Sequence, residues 1–185
     1  GIDLYINQKD GTFSHQSESY GLTQNEFFKG CVATDVNNDK YPDIYLSSLS
    51  RSPLLLINQG FKGVAGFIAA DGTSIPPGPS QSFPCWSFDY DNDGNEDLFV
   101  SPFSNEGSPA TMWMKSHGDN NSDGFLDFYL GTGNPLYQSI VPNKMYLNVD
   151  GRKFEDVSFS GGVANIQKGH GVSFGDWNHD GDEDI

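Results

Sequence analysis

The strongest constraint on the fold of this chain is a nine-residue acidic segment that recurs four times, each copy set beside short apolar runs. The copies run Asp35 to Asp43, Asp89 to Asp97, Asp119 to Asp127 and Asp176 to Asp184. Numbered 1 to 9, each carries Asp or Asn at positions 1, 3, 5 and 9, and three have Gly at position 6, where the first has Lys40. The runs before them are Cys31–Thr34, Cys85–Phe88 and Val172–Gly175; those after them are Ile44–Ser47, Leu98–Ser101 and Phe128–Gly131. Such aromatic and β-branched stretches of four residues are strands, so each acidic segment is the connection between two strands.

A second signature accompanies the first. Leu4–Asn7 leads into Asp10-Gly11, Met145–Asn148 leads into Asp150-Gly151, and Leu54–Asn58 is a looser third copy. Asp-Gly between strands is a hairpin signal, because both central residues of a type I′ turn need positive φ. The repeat is therefore two hairpins, and the first Asp of each acidic segment falls at intervals of 54, 30 and 57 residues. Four strands in roughly 55 residues is the content of one blade of a β-propeller. The fold class expected is all-β, a partial propeller of about three to four blades. The short interval implies that the blade after the second loop lacks its second hairpin, with irregular structure from Ser104 to Lys115. A closed ring of such blades needs at least about 220 residues, so residues 1–185 are expected to be one repeat region of a larger propeller.

Oxygen side chains at positions 1, 3, 5 and 9 of a tight turn suit Ca²⁺, which takes six to eight oxygens in flexible geometry. The candidate metal ligands are Asp35, Asn37, Asp39, Tyr41 and Asp43; Asp89, Asp91, Asp93, Asn95 and Asp97; Asp119, Asn121, Asp123, Phe125 and Asp127; and Asp176, Asn178, Asp180, Asp182 and Asp184. The residues at position 7 enter through their carbonyls. An EF-hand shares the start of this pattern but needs a bidentate acid at position 12 and flanking helices. Position 12 is Leu46, Val100 and Leu130, which excludes it. Asp/Asn-Gly clusters also make turns without a metal, but turn propensity does not require a carboxylate at position 9 in every copy. The second loop, with four Asp and Gly94, is expected to bind most tightly. The first, with Lys40 at the position that wants positive φ, is expected to bind most weakly.

Ten basic residues against 25 acidic ones give a net charge of −15, which argues against nucleic acid or an anionic membrane surface as partner. Thirteen of the acids lie at the four oxygen positions of the loops, and four Ca²⁺ would bring the net charge to about −7. No apolar run approaches the roughly 18 residues of a membrane helix. Cys31 and Cys85 each precede a loop by four residues and are expected to be buried structural thiols in preference to a disulfide. His15, His117, His170 and His179 form no metal-binding spacing, and His170 is expected to be structural. No nucleophile elbow and no phosphate-binding glycine loop is present. The sequon Asn120-Asn121-Ser122 lies inside the third loop, where a glycan would crowd an ion. Trp86 and Trp177 are expected in the repeat core, and Trp113 is the better candidate for an exposed aromatic.

Several stretches resemble the FG-GAP/VCBS repeats of integrin-α-like propellers, and most nearly those associated with ASPIC/UnbV domains, the cartilage acidic protein-like group. They are Ser82–Pro84 through Val100, Asp127–Pro135, Val141–Lys144, and Gln167–Gly171 running into Asp176. The resemblance implies a calcium-stabilised, secreted or cell-surface propeller that recognises a protein or glycan and is not an enzyme. Extracellular calcium modules work at about 10⁻⁴ to 10⁻³ M, and affinities near that range are expected. The alternative is part of a calcium-dependent carbohydrate-active propeller, which would need a base or paired carboxylates outside the loops.

Overall fold

A computed structural model of the chain describes residues 1–60, 66–71, 81–102, 113–132, 140–167, 169 and 171–185. The strands are β1 (Tyr5–Asn7), β2 (Phe13–His15), β3 (Gly30–Thr34), β4 (Asp43–Ser47), β5 (Leu54–Asn58), β6 (Phe67–Ala69), β7 (Ser82–Phe88), β8 (Asp97–Pro102), β9 (Trp113–Gly118), β10 (Asp127–Thr132), β11 (Lys144–Val149) and β12 (Lys153–Asp156). They form two four-stranded antiparallel sheets, β3-β4-β5-β6 and β9-β10-β11-β12, and two two-stranded ones, β1-β2 and β7-β8. Strand order follows chain order within every sheet, as in propeller blades. The chain is thus all-β, a partial β-propeller in which the blade β7-β8 has only its first hairpin among the described residues.

Each acidic loop joins the first two strands of a blade in the same register. Thr34 faces Asp43, Phe88 faces Asp97, Gly118 faces Asp127, and Gly175 bridges Asp184. Position 9 is therefore both the last loop residue and the first rung of the next strand. Position 12, held by Leu46, Val100 and Leu130, lies within β4, β8 and β10.

Two apolar clusters hold the sheets together. Leu22, Leu46 and Leu56 collect Ile2, Leu4, Tyr20, Phe28 and Phe67 around the first full blade. Trp86, Phe88, Phe128 and Leu130 join the short blade to the one after it, with Tyr90, Phe99, Tyr146 and Phe154 packed around them. Trp86 stacks on Phe99 at 4.1 Å, and Phe154 meets Phe128 edge-on at 4.7 Å. These offset and T-shaped pairs add to the area that the rings remove from water. A polar seam joins β4 to β7: buried Ser47 accepts from the Gly30 amide at 2.9 Å and donates to the Phe83 carbonyl, while the Ser82 amide donates to the Ser48 carbonyl at 2.8 Å.

Four sequence expectations need correction. Trp113–Lys115 is strand, since β9 pairs along its whole length with β10; the ladder outweighs its weak apolar pattern. The remainder of that expectation, residues 104–112, lies outside the described residues, as do His170 and the side chain of Trp113. Val172–Phe174 is not strand, because only Gly175 finds a partner. Cys31 is exposed, sharing the outward face of β3 with Ala33; both thiols are free, and burial pushes that of half-buried Cys85 up to about 11. Trp177 is 90% exposed, whereas Trp86 is buried as expected. Tyr90, at the same loop position as Trp177, is covered by Phe154 of the β11-β12 hairpin; among the described residues no hairpin occupies that place over Trp177.

The hairpin turns divide. Asp150 and Gly151 take φ of 54° and 64°, the I′ geometry the dipeptide predicts, with the Arg152 amide donating to the Val149 carbonyl at 3.1 Å. In the first hairpin the left-handed residues are Lys9 and Gly11, and Asp10 instead accepts from the Thr12 amide at 2.9 Å. Gly151 also permits a close approach between blades, for a Cβ there would lie 2.8 Å from Asp91 Cα and 2.9 Å from the Phe125 ring. Gly151→Ala should lower the unfolding free energy by about 2–3 kcal/mol. Gly162→Ala, at φ 74° in open space, should cost only about 1 kcal/mol. Equal losses in urea denaturation would show that the contact with Asp91 is unimportant.

Candidate metal-binding loops

All four loops are built by one set of backbone donors. The position-1 carboxylate accepts from the amides of positions 5 and 6. For Asp35 the donors are Asp39 at 3.1 Å and Lys40 at 2.7 Å; for Asp89, Asp93 at 3.0 Å and Gly94 at 2.8 Å. Asp119 and Asp176 repeat this with Asp123 and Gly124, and with Asp180 and Gly181. The position-9 carboxylate accepts from the position-2 amide, as in Asp43 from Val36, Asp97 from Tyr90, Asp127 from Asn120 and Asp184 from Trp177, at 2.9 to 3.1 Å. The position-5 carboxylate accepts from the amide of position 7: Tyr41, Asn95, Phe125 and Asp182. Backbone dipoles thus hold the side chains of positions 1, 5 and 9 with their charge turned into the turn.

The turn itself needs two left-handed residues. Position 6 does so in every copy, with φ of 71° at Lys40, 88° at Gly94, 90° at Gly124 and 97° at Gly181. Lys40 therefore keeps the loop shape at the expense of a conformation that L side chains disfavour by about 1–2 kcal/mol. Position 4 is also left-handed throughout: Asn38 (58°), Asn92 (57°), Ser122 (57°) and His179 (61°). Sequence reasoning overlooked this position because its residue type varies.

The carboxylates of Asp89, Asp91 and Asp97 offer three oxygens that lie within 4.8 Å of one another. In the other three loops position 3 is Asn37, Asn121 or Asn178, so fewer charges converge. Asn121 and Asn178 turn their amide nitrogens onto the position-5 carboxylates at 2.9 and 2.8 Å. A set of convergent oxygen donors fits a hard divalent cation.

Position 9 is the most buried of the loop carboxylates in the first and third copies, whereas Asp184 of the fourth is exposed. Asp43 and Asp127 are fully buried, and each gives its second oxygen to an amide at the end of the blade's third strand, Asn58 and Asn148, at 2.7 Å in both cases. The Leu-Ile-Asn and Tyr-Leu-Asn strand ends in the sequence are the trace of this contact. Asp97, whose blade has no third strand among the described residues, is half-buried. Desolvation raises the pKa of Asp43, Asp97 and Asp127 above the ordinary carboxylate value, and the neighbouring loop carboxylates push the same way against the amides that stabilise the anion.

The comparison with known families matches residues 35–100 to the FG-GAP-like repeat, a stretch that holds the first two loops and strands β4 to β7. No curated protein matches the chain.

Two outcomes follow for the metal-free chain. A carboxylate whose folded pKa is raised holds more protons in the folded state, so its contribution to stability grows as pH falls toward the ordinary carboxylate range. In EDTA the melting temperature should therefore rise from pH 7 to about pH 5, and saturating Ca²⁺ should reverse that slope because the metal needs ionised ligands. Asp156, held down to about 2 by Lys144 and Ser158, contributes the opposite dependence only at lower pH. A falling melting temperature over that range in EDTA would contradict the electrostatic account of the loops. Lys40→Gly should raise unfolding free energy in EDTA by about 0.5–1 kcal/mol, measured by urea titration.

Proposed function

We propose that the chain is a calcium-binding, non-catalytic recognition module of an extracellular propeller. The observation that carries this reading is the convergence of the Asp89, Asp91 and Asp97 carboxylates within 4.8 Å on a loop whose backbone amides hold each of them in place by hydrogen bonds. Without a cation such a set is held together against its own repulsion. With Ca²⁺ bound, the repulsion becomes ligation, and the first hairpin of each blade is locked at its mouth.

The match to FG-GAP-like repeats supports the same reading, as do the four equivalent loops at one register of successive hairpins. Side-chain oxygens from positions 1, 3, 5 and 9 would hold each ion, with the position-7 carbonyl completing the set. The second loop is the strongest site by charge and the first the weakest, because Lys40 brings a positive charge beside it. The module takes a protein or glycan ligand on a rim whose loops the metal fixes, and it belongs with the ASPIC/UnbV-associated group. The clustered acids serve the loops, which leaves them engaged by backbone amides and not free for acid-base work.

Calorimetric titration should detect Ca²⁺ binding at submillimolar to millimolar concentrations, and Asp91→Asn should weaken the tightest site about tenfold while leaving the fold intact by circular dichroism. No heat and no thermal shift at 5 mM Ca²⁺, a concentration of order above the expected dissociation constants, in a folded preparation would overturn the calcium reading. Calcium-dependent turnover of a polysaccharide panel would overturn the non-catalytic one.

A further inference from the structure

The four loops do not stand apart: the side chain at position 4 of each of the first three crosses to the turn of the next. Asn38 Nδ2 donates to Asn95 Oδ1 at 2.7 Å, Asn92 Nδ2 to the Gly124 carbonyl at 2.8 Å, and Ser122 Oγ to Asp182 Oδ1 at 2.7 Å. The acceptors belong to positions 7, 6 and 7 of the following loop. These contacts span 57, 32 and 60 residues of sequence, so the short blade does not interrupt the row. With left-handed φ, the side chains of Asn38, Asn92 and Ser122 leave their own turns and reach the neighbouring loop.

Each acceptor sits in the part of the next loop that shapes its ligands. Asn95, while accepting from Asn38, donates its own Nδ2 to Asp93 Oδ1 at 2.8 Å, and its amide reaches the same oxygen. The Asp182 amide likewise donates to Asp180 Oδ1 at 2.9 Å. Gly124 donates its amide to Asp119 while its carbonyl accepts from Asn92. A position-4 side chain therefore constrains the orientation of a position-1 or position-5 carboxylate in the next loop.

We propose that Asn38, Asn92 and Ser122 are positioning residues that couple neighbouring loops, so that ions fill the row cooperatively instead of each site binding alone. The inference rests on the calcium reading above. A loop ordered by its ion presents its position-4 donor in the bonded geometry, and the next loop then spends less of its binding free energy on ordering its ligands. Linkage requires the effect to run both ways between adjacent loops.

The test uses glycine at position 4, which keeps the left-handed turn and removes only the crossing side chain. Amide resonances of Lys40, Gly94, Gly124 and Gly181 each report their own loop, since each amide donates to that loop's position-1 carboxylate. During Ca²⁺ titration followed by NMR, Asn38→Gly should shift the midpoints of Gly94 and Lys40 upward about fivefold, with Gly181 unmoved. Ser122→Gly should shift Gly124 and Gly181 and spare Lys40. A change confined to the substituted loop, or no change in either midpoint, overturns the coupling.

A metal-free measurement separates this inference from the reading beneath it. In EDTA, Asn38→Gly should speed hydrogen exchange at the Asp93, Gly94 and Asn95 amides about fivefold, 50 and more residues away in sequence. Unaltered exchange there overturns the inter-loop link. Absence of any Ca²⁺-dependent shift, with faster exchange, overturns the calcium assignment and leaves the link standing.

Discussion

The repulsion among carboxylates gathered at the mouth of each first hairpin is the constraint on which the rest of the structure turns. Three or four carboxylate side chains at positions 1, 3, 5 and 9 share a nine-residue turn. What keeps them there is a repeated set of amide donors, two to position 1 and one each to positions 5 and 9. Amides satisfy the lone pairs of a carboxylate without cancelling its charge, and burial at position 9 makes that charge more expensive to hold. The loop is consequently well built and electrostatically incomplete at the same time. That combination is the physical ground of the proposed calcium site.

Position 9 carries the consequence into the blade. Because Asp43 and Asp127 begin β4 and β10, a carboxylate of the loop is also the first rung of the sheet, and Asn58 or Asn148 from the third strand closes over it. Loop and blade thus share one hydrogen-bonded core. Among the described residues the short blade β7-β8 has no such strand of its own, and it leans on its neighbour. Asn148 Nδ2 reaches the Tyr90 carbonyl at 2.6 Å, Phe154 covers the Tyr90 ring, and Gly151 seats its turn against Asp91. The loop with the most convergent charge is therefore supported from the next blade. Loss of half a blade in sequence is repaired by contact in space.

Much of this was legible in the residues. Strand runs beside each loop, the exclusion of an EF-hand by Leu46, Val100 and Leu130, and the strain at Lys40 all follow from local rules of pattern and φ. The readings that failed did so where a distant segment decided the outcome. β10 drew Trp113–Lys115 into a strand despite a weak apolar pattern, and Trp177, identical in loop position to Tyr90, is exposed where no hairpin like β11-β12 covers it among the described residues. Cys31 was misplaced because a two-residue alternation fixes which residues share a face but not which face is inward. Position 4 escaped notice for a different reason: Asn, Asn, Ser and His share no chemistry that marks them as one site, and only their common backbone conformation and partners do.

By itself the sequence determined the repeat: an acidic turn between strands, its oxygen positions, its Gly or Lys at the left-handed step, and the all-β class that a two-hairpin period dictates. These are local properties, set within a dozen residues by sterics, turn chemistry and charge. Only the tertiary structure decided which carboxylates are buried, which strand end covers them, and that the first three loops each touch the next through position 4. Those outcomes depend on which segments the sheets bring together across 30 to 60 residues, a distance over which a repeat fixes the parts and packing fixes their contacts.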